Sequence, residues 1–331
     1  MNSPKITVLV PIYNVEKYIS KCLDSLRAQE FEDFEVWAVS DGSPDNSAQI
    51  VKKYSKIDNR IKLIEKSNGG YGSVLEYGVQ NIKSEYFLIC DPDDWLSKDA
   101  LKDLYNFSKK NNLDIAVADR YDVFAGEKEY VHTFKDVSGI EAGHVYTDPI
   151  MIQKFAFGLV SPHAKLFKSS ITKGINFPWH VSYTDFVLYV MSLANAKRVA
   201  YLNKALAYYL FERPGNTKTD KRPEIITQYL KGYDFVLSQL ELLGIKQYPL
   251  LILRLLDQLL FVMREYKRVT DHKFTDKAWK NILFALSKLQ KYRKFLIDNL
   301  SLNLKEKIKL DLLLNKNYYR LVSKWLVKYK Y

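Results

Sequence analysis

The sequence predicts an α/β protein: a mostly parallel sheet flanked by helices over residues 1–220, then a mainly α-helical region over 221–331. Three observations predict it. Four apolar runs within the first ninety residues are spaced by stretches of helical periodicity, an alternation that yields right-handed crossovers and a sheet covered on both faces. Polar and acidic residues collect just past those runs, at the strand ends where ligands of such sheets bind. From about Pro223 onward, leucine and isoleucine recur at helical spacing with few glycines or prolines.

Taken in order, "KITVLVPIY" reads as a buried strand, and Asn14 is expected to cap a helix whose stripe is Val15, Tyr18, Ile19, Cys22, Leu23 and Leu26. "FEVWAVSD" is the second strand, and "GSPDNSAQIVKKYSK" turns into a helix with Ile50, Val51 and Tyr54 facing inward. "IKLIEK" is the third strand, followed by the turn "SNGG" and a helix through Val74, Tyr77 and Val79. "EYFLICD" is the fourth, and "LDIAVADRYDVF" reads as a further strand. The tips carry Tyr13 and Asn14, Asp41, Asn68, and Asp91 to Asp94, so four strand ends converge on one crevice. Within the first region, residues 1–110 hold these four tips and residues 111–220 form a less regular second half.

The net charge of +12 points to nucleic acid until it is located. Residues 1–250 carry 31 Lys and Arg against 31 Asp and Glu, whereas residues 251–331 carry 19 against 7. A neutral body with a basic appendage follows, and no nucleic-acid module is recognisable in that appendage. Cys22 and Cys90 fall inside core elements and read as buried free thiols of a reducing compartment; neither they nor the five histidines have zinc spacing. "MNSPKITVLV" lacks the apolar run and cleavage site of a signal peptide. The most apolar stretch, "YPLLILRLLDQLLFVMREY", is interrupted by Arg254 and Asp257, which are costly in lipid. The expected location is the cytoplasm.

"NGGYGSV" is the one glycine loop at a helix start, and it fits neither dinucleotide nor P-loop spacing. A divalent cation held by carboxylates is the other way to bind a diphosphate, and "DPDD" at the fourth strand tip suits it. Clustered acids raise one another's pKa, and a cation compensates them. The bland alternative is that these acids cap the helix "KDALKDLY", although Ser97 can do that alone.

"ITVLVPIYNVEKYISKCLDSLRAQEFEDFEVWAVSDGSPDNS", the "NGG" turn and "YFLICDPDDWL" together resemble a family 2 glycosyltransferase of GT-A fold, over roughly residues 5–215. The resemblance implies inverting transfer from a nucleotide sugar (UDP-hexose or UDP-N-acetylhexosamine) to a glycan, lipid-linked or glycoprotein acceptor, with Mn²⁺ or Mg²⁺. It implies a base-binding loop at Pro11, Tyr13 and Asn14, and a base contact at Asp41. Asp91 falls at ribose or metal, Asp93 at the metal, and Asp94 shares that second role. Asn68 and Gly69 belong to the donor site or serve only a tight turn. Tyr13 and Asp41 likewise have structural readings, as packing and as a turn. The family's acidic pair at the catalytic base appears here as Thr184 and Asp185, with Asp185 either the base or a helix N-terminal charge capped by Thr184. Ser40 and His163 also depart from the family pattern; His163 and Thr184 contact acceptor or are simply packed. No Q-x-x-R-W motif of a processive synthase is present. A sugar nucleotidylyltransferase wants a glycine- and arginine-rich first loop, which "PIYNVEKY" lacks. A silent scaffold partner is the alternative from another class. The basic C-terminal helices either pack on the catalytic body or dock on an anionic membrane, which places the protein at the inner face of the plasma membrane.

Overall fold

The computed structural model describes residues 3–211, 222–270 and 276–328, with side chains to Lys324. The chain forms two compact units, Met1–Asn216 and Thr217–Tyr331. The boundary expected at 220/221 lies outside the described residues.

In the first unit, strands β1 (Ile6–Ile12), β2 (Phe34–Asp41), β3 (Ile61–Lys66) and β4 (Tyr86–Ile89) alternate with helices α1 (Ile19–Arg27), α2 (Ser47–Ile57) and α3 (Tyr71–Asn81). After β4 come β5 (Trp95–Leu96), α4 (Ala100–Asn111), β6 (Ile115–Phe124), β7 (Glu127–Val131), β8 (Val145–Tyr146) and α5 (Pro149–Lys154). The unit continues through β9 (Lys165–Lys168), α6 (Ser169–Thr172), α7 (Asp185–Asn195) and β10 (Val199–Leu210). The strand order is β3-β2-β1-β4-β9-β6-β10-β5, with β7 on β6 and β8 on β10. The parallel ladder expected from the strand–helix alternation holds for β3-β2-β1-β4 and for β6 with β10. Between them β9 runs antiparallel to both β4 and β6.

Every residue of β1 is buried, as a central parallel strand covered on both faces requires. One face, Ile6, Val8, Val10 and Ile12, packs with Cys22, Leu23 and Leu26 of α1 and with Leu88 and Cys90. Cys22 and Cys90 are free and buried, their Sγ atoms 3.6 Å apart.

The structure corrects the start of α1. The helix begins at Ile19, and Asn14 has φ 55°, a left-handed conformation incompatible with an N-cap. Its N–H instead donates to Ser43 Oγ at 2.8 Å, while Glu16 N–H donates to Asp45 Oδ2 at 2.8 Å. The loops after β1 and β2 are thereby stitched together. Asp45 also accepts from the hydroxyls of Ser43 and Ser47, both at 2.6 Å. Burial pushes its pKa up, but these hydrogen bonds outweigh that and hold it at about 2.

The second unit is helical, as the periodicity predicts: α8 (Ile225–Leu242), α9 (Pro249–Val269), α10 (Lys277–Leu289), α11 (Arg293–Asn299), α12 (Leu304–Leu314) and α13 (Tyr319–Lys328). Tyr233, Tyr266 and Trp279 are among its fully buried side chains. Arg254, buried on α9, donates to Asp257 (3.1 Å) and Gln258 (3.3 Å). No described helix is long and apolar enough to cross a membrane.

Candidate active site

At the tip of β2, Asp41 is 3% exposed and accepts four donors from its own unit. Lys66 Nζ (2.6 Å), Gly69 N–H (3.0 Å) and the Ser73 hydroxyl (3.4 Å) reach Oδ1, and Gly70 N–H (2.8 Å) reaches Oδ2. Asn68 Nδ2 donates to the Asp41 carbonyl at 2.9 Å. Asp41, Asn68 and Gly69 thus form one turn clamped onto β2. Beside it, Pro11 is buried in β1 and Tyr13 stands 52% exposed, so Tyr13 is not a packing residue of the sheet.

Two glycines, Gly70 at the end of this turn and Gly72 in the first turn of α3, allow a second loop to approach. A Cβ on Gly70, whose φ is +81°, would lie 3.0 Å from the His180 backbone; one on Gly72 would lie 2.4 Å from the Pro178 carbonyl. His180 N–H donates to Gly69 O at 2.6 Å. The approaching segment, 178–184, leads into α7 and carries two left-handed residues, His180 (φ 53°) and Tyr183 (φ 63°). Non-glycine residues in that region are disfavoured by about 1–2 kcal/mol each. Trp179 on this loop is exposed, with its indole N–H held by Glu76 Oε2 at 2.6 Å.

At the tip of β4, Asp91, Asp93 and Asp94 follow one another, and β5 separates them from α4. They therefore do not cap that helix. Ser97 does not cap it either: Asp99 occupies the N-cap and Ser97 Oγ donates to Asp99 Oδ1 at 2.6 Å. Asp91 Oδ1 accepts from the Tyr71 hydroxyl at 2.9 Å. Loss of solvent, then the charges of Asp94 and Asp93, raise the Asp91 pKa well above the usual carboxylate range, against the opposing Tyr71 hydrogen bond. Asp94 is buried: Leu210 N–H donates to its Oδ1 at 2.8 Å and His163 Nε2 meets its Oδ2 at 2.5 Å.

Asp91, Asp94 and His163 bring ligand atoms within 4.8 Å of one another, a cluster that can hold a metal ion. Asp93 is not among these three, although its charge reaches Asp91. The proton pattern separates the three. Arg120 Nη1 lies 3.2 Å from His163 Nδ1, and a guanidinium can only donate, so Nδ1 accepts. The ring then carries its proton on Nε2 and donates to Asp94. In this arrangement His163 is a buried clamp on a carboxylate, and its burial argues against the acceptor contact expected for it. Arg120 is itself fixed by Asp122 (2.7 Å) and Ser161 (2.6 Å).

Thr184 is fully buried, so it is not placed to touch an acceptor. It occupies the N-cap of α7 in helical conformation without a side-chain cap bond, and its methyl lies beside Gly72. Asp185 opens α7 and is partly exposed. Its charge acts on Tyr71 and Asp91, so acids from the two halves of the unit lie within electrostatic reach of one another. Burial, then Asp91, Asp185, the Asp91 hydrogen bond and Asp93, push the Tyr71 hydroxyl well above its ordinary pKa. Beneath, Lys165 on β9 is buried; desolvation and then Arg120 pull its pKa down to about 7, with Asp185 opposing.

Sequence reasoning missed Lys66, Tyr71, Arg120 and Trp179. Only Tyr71 carried a signal, its place directly after the "NGG" turn.

Comparison with known proteins completes the picture. Residues 7–174 match the family model described as Glycosyl transferase family 2. The chain is 33% identical over 219 residues to glycosyltransferase GlyA of Streptococcus pneumoniae, covering 62% of this chain and 30% of that protein. It is 32% identical over 221 residues to the poly(ribitol-phosphate) beta-glucosyltransferase of Bacillus spizizenii, covering 64% and 33% respectively. It spans between 30% and 42% of the length of the first curated relatives it matches. Among solved structures, S. aureus TarS 1–349 in complex with UDP-GlcNAc superposes with a TM-score of 0.63 at 22% identity, over 97% of this chain and 88% of that one. That likeness carries the GT-A fold.

Proposed function

Because the chain belongs to glycosyl transferase family 2, we propose that it transfers a sugar from UDP to a glycan acceptor with inversion, Asp185 acting as general base. What supports this reading is the packing of the segment that leads into Asp185 against Gly70 and Gly72, on either side of Tyr71, whose hydroxyl donates to Asp91. In this reading the base of the donor lies on Pro11, Tyr13 and Asn14. Asp41 Oδ2 has one internal donor and retains capacity for a second from the base. Asn68 and Gly69 hold that floor in place.

The donor set around Asp91 is anionic and rich in oxygen, the chemistry of Mg²⁺ and Mn²⁺. Asp91 and Asp93 are the residues assigned to such a cation, with Asp94 held by His163 as their support. A cation held there would supply positive charge to offset the diphosphate of the leaving group. The acceptor class is a wall or surface polymer, lipid-linked or free, as the relatives named for poly(ribitol-phosphate) suggest. Such an enzyme works in the cytoplasm, with peripheral contact to the membrane through its basic helices.

The test is Asp185→Asn, which keeps shape but cannot accept a proton. Turnover is expected to fall by about 10²–10⁴ with donor affinity near wild type. Collapse of donor binding with surviving turnover assigns Asp185 to the donor instead and removes the base from this mechanism.

A further inference from the structure

Helix α12 is apolar on two opposite faces. Leu310, Leu313 and Leu314 are buried in the second unit, whereas Leu304, Ile308 and Leu312 are 75%, 52% and 36% exposed. The latter three lie at i, i+4 and i+8 and form one ridge along the helix. Lys305 and Lys309 follow its residues on one side, and Lys307 lies on the other. Just beyond, Tyr318 and Leu321 are also exposed. Residues 304–331 carry eight Lys and Arg against two Asp and Glu. A capping box between Asn303 and Glu306 fixes the helix start, so the ridge belongs to an ordered element.

We propose that the outer ridge of α12 docks the protein on an anionic lipid surface, with Leu304, Ile308 and Leu312 at the acyl boundary and the flanking lysines on lipid phosphates. The proposal deepens the peripheral-membrane contact stated above and rests on that reading for its purpose. It narrows the contact expected of the basic C-terminal helices to α12. Charge selects the occupant. A second copy brings the same basic surface against itself, which like-charge repulsion opposes. Protein interface cores are depleted in lysine, whereas lysine beside aliphatic side chains is the composition of interfacial helices. Each basic residue near an anionic leaflet adds attraction that salt screens.

The experiment is co-sedimentation of the full chain with vesicles of phosphatidylcholine alone or mixed with phosphatidylglycerol, read without turnover. Wild type is expected to bind the anionic vesicles and to be released by salt. The double variant Leu304→Glu with Ile308→Glu changes only exposed side chains, and a matching thermal melt certifies its fold. It is expected to bind at least about tenfold more weakly, and donor hydrolysis in vesicle-free buffer stays at the wild-type rate. Wild-type binding by the folded double variant overturns the proposal. So does indifference of the wild type to anionic lipid, or a double variant that only converts a dimer to a monomer. A chain that docks through the ridge but hydrolyses no nucleotide sugar supports this inference and sinks the enzymatic reading, so the two failures are separable.

Discussion

Two carboxylate stations stand on the same edge of the sheet, and they are built in opposite ways. Asp41 is met by an ammonium, two backbone N–H groups and a hydroxyl, all from nearby segments of its own half. Asp91 has one hydroxyl donor and two further carboxylates beside it, and its pKa is driven up. The first station is neutralised by the fold, which fixes a turn and leaves one carboxylate oxygen with room for a further donor. The second accumulates negative charge at a point where the fold supplies little compensation, so it suits a ligand that is itself positive. Proximity of an acid to a strand tip therefore does not define its role; the count of donors around it does.

Substitution at the second station is the strongest way to break that contrast. Asp91→Asn or Asp93→Ala is expected to reduce turnover by about 10³ or more while the melting temperature holds or rises, since like-charge repulsion is relieved. Excess EDTA should act in the same direction, with recovery on adding Mn²⁺ or Mg²⁺. An unfolded variant, or full turnover in EDTA, would show that these acids are structural.

Asp41→Asn reverses the pattern. It leaves the largely buried Lys66 ammonium without its ion-pair partner, and a loss of about 2–3 kcal/mol is expected in denaturant unfolding. Intact stability with lost donor binding would mean that the two stations differ less than their hydrogen bonds imply.

Arg120→Met sharpens the contrast from the other side. With its donor gone, Nδ1 of His163 is free to take the proton and the grip on Asp94 loosens. A turnover loss of about tenfold is expected, with ¹⁵N shifts reporting the change of tautomer. Unchanged shifts would remove His163 as the clamp.

The smallest effect is at Asp45. Its folded pKa of about 2 lies below the unfolded value, so it adds stability that is present above about pH 4 and lost as pH falls through about 2. Its partial exposure discounts the effect to about 1–2 kcal/mol at pH 7. Comparing Asp45→Asn with wild type, the gap should close below pH 2. A gap independent of pH would point to lost packing.

The parallel half of the fold was legible because each strand is an apolar run ended by turn residues, as in "FEVWAVSD" followed by Gly42. Asp91 and Asp185 were legible as acids at element ends. Asn14 was misread because a side chain typical of caps is equally typical of left-handed turns, and only the partner loop 43–47 decides between them. The clamp on Asp94 was illegible in principle: His163 is 69 residues away from it, and Arg120 reads as one more residue of a strand. Thr184 looked like a cap or an acceptor contact by analogy with an acidic pair, and its complete burial is a property of the packed α7, not of its sequence position.

The antiparallel β9 has a consequence for the order of folding. The ladder β3-β2-β1-β4 is complete once residue 89 is made, from neighbours close in sequence. Its fourth strand, Tyr86–Ile89, is wholly buried in the finished protein, and its outer edge pairs with Phe167 and Lys168 of β9. During synthesis that apolar edge waits for some eighty further residues. Such non-local pairing is slow, and an unpaired apolar edge is a template for other chains. A chain ending near residue 112 should therefore fold its first four strands and then self-associate along β4.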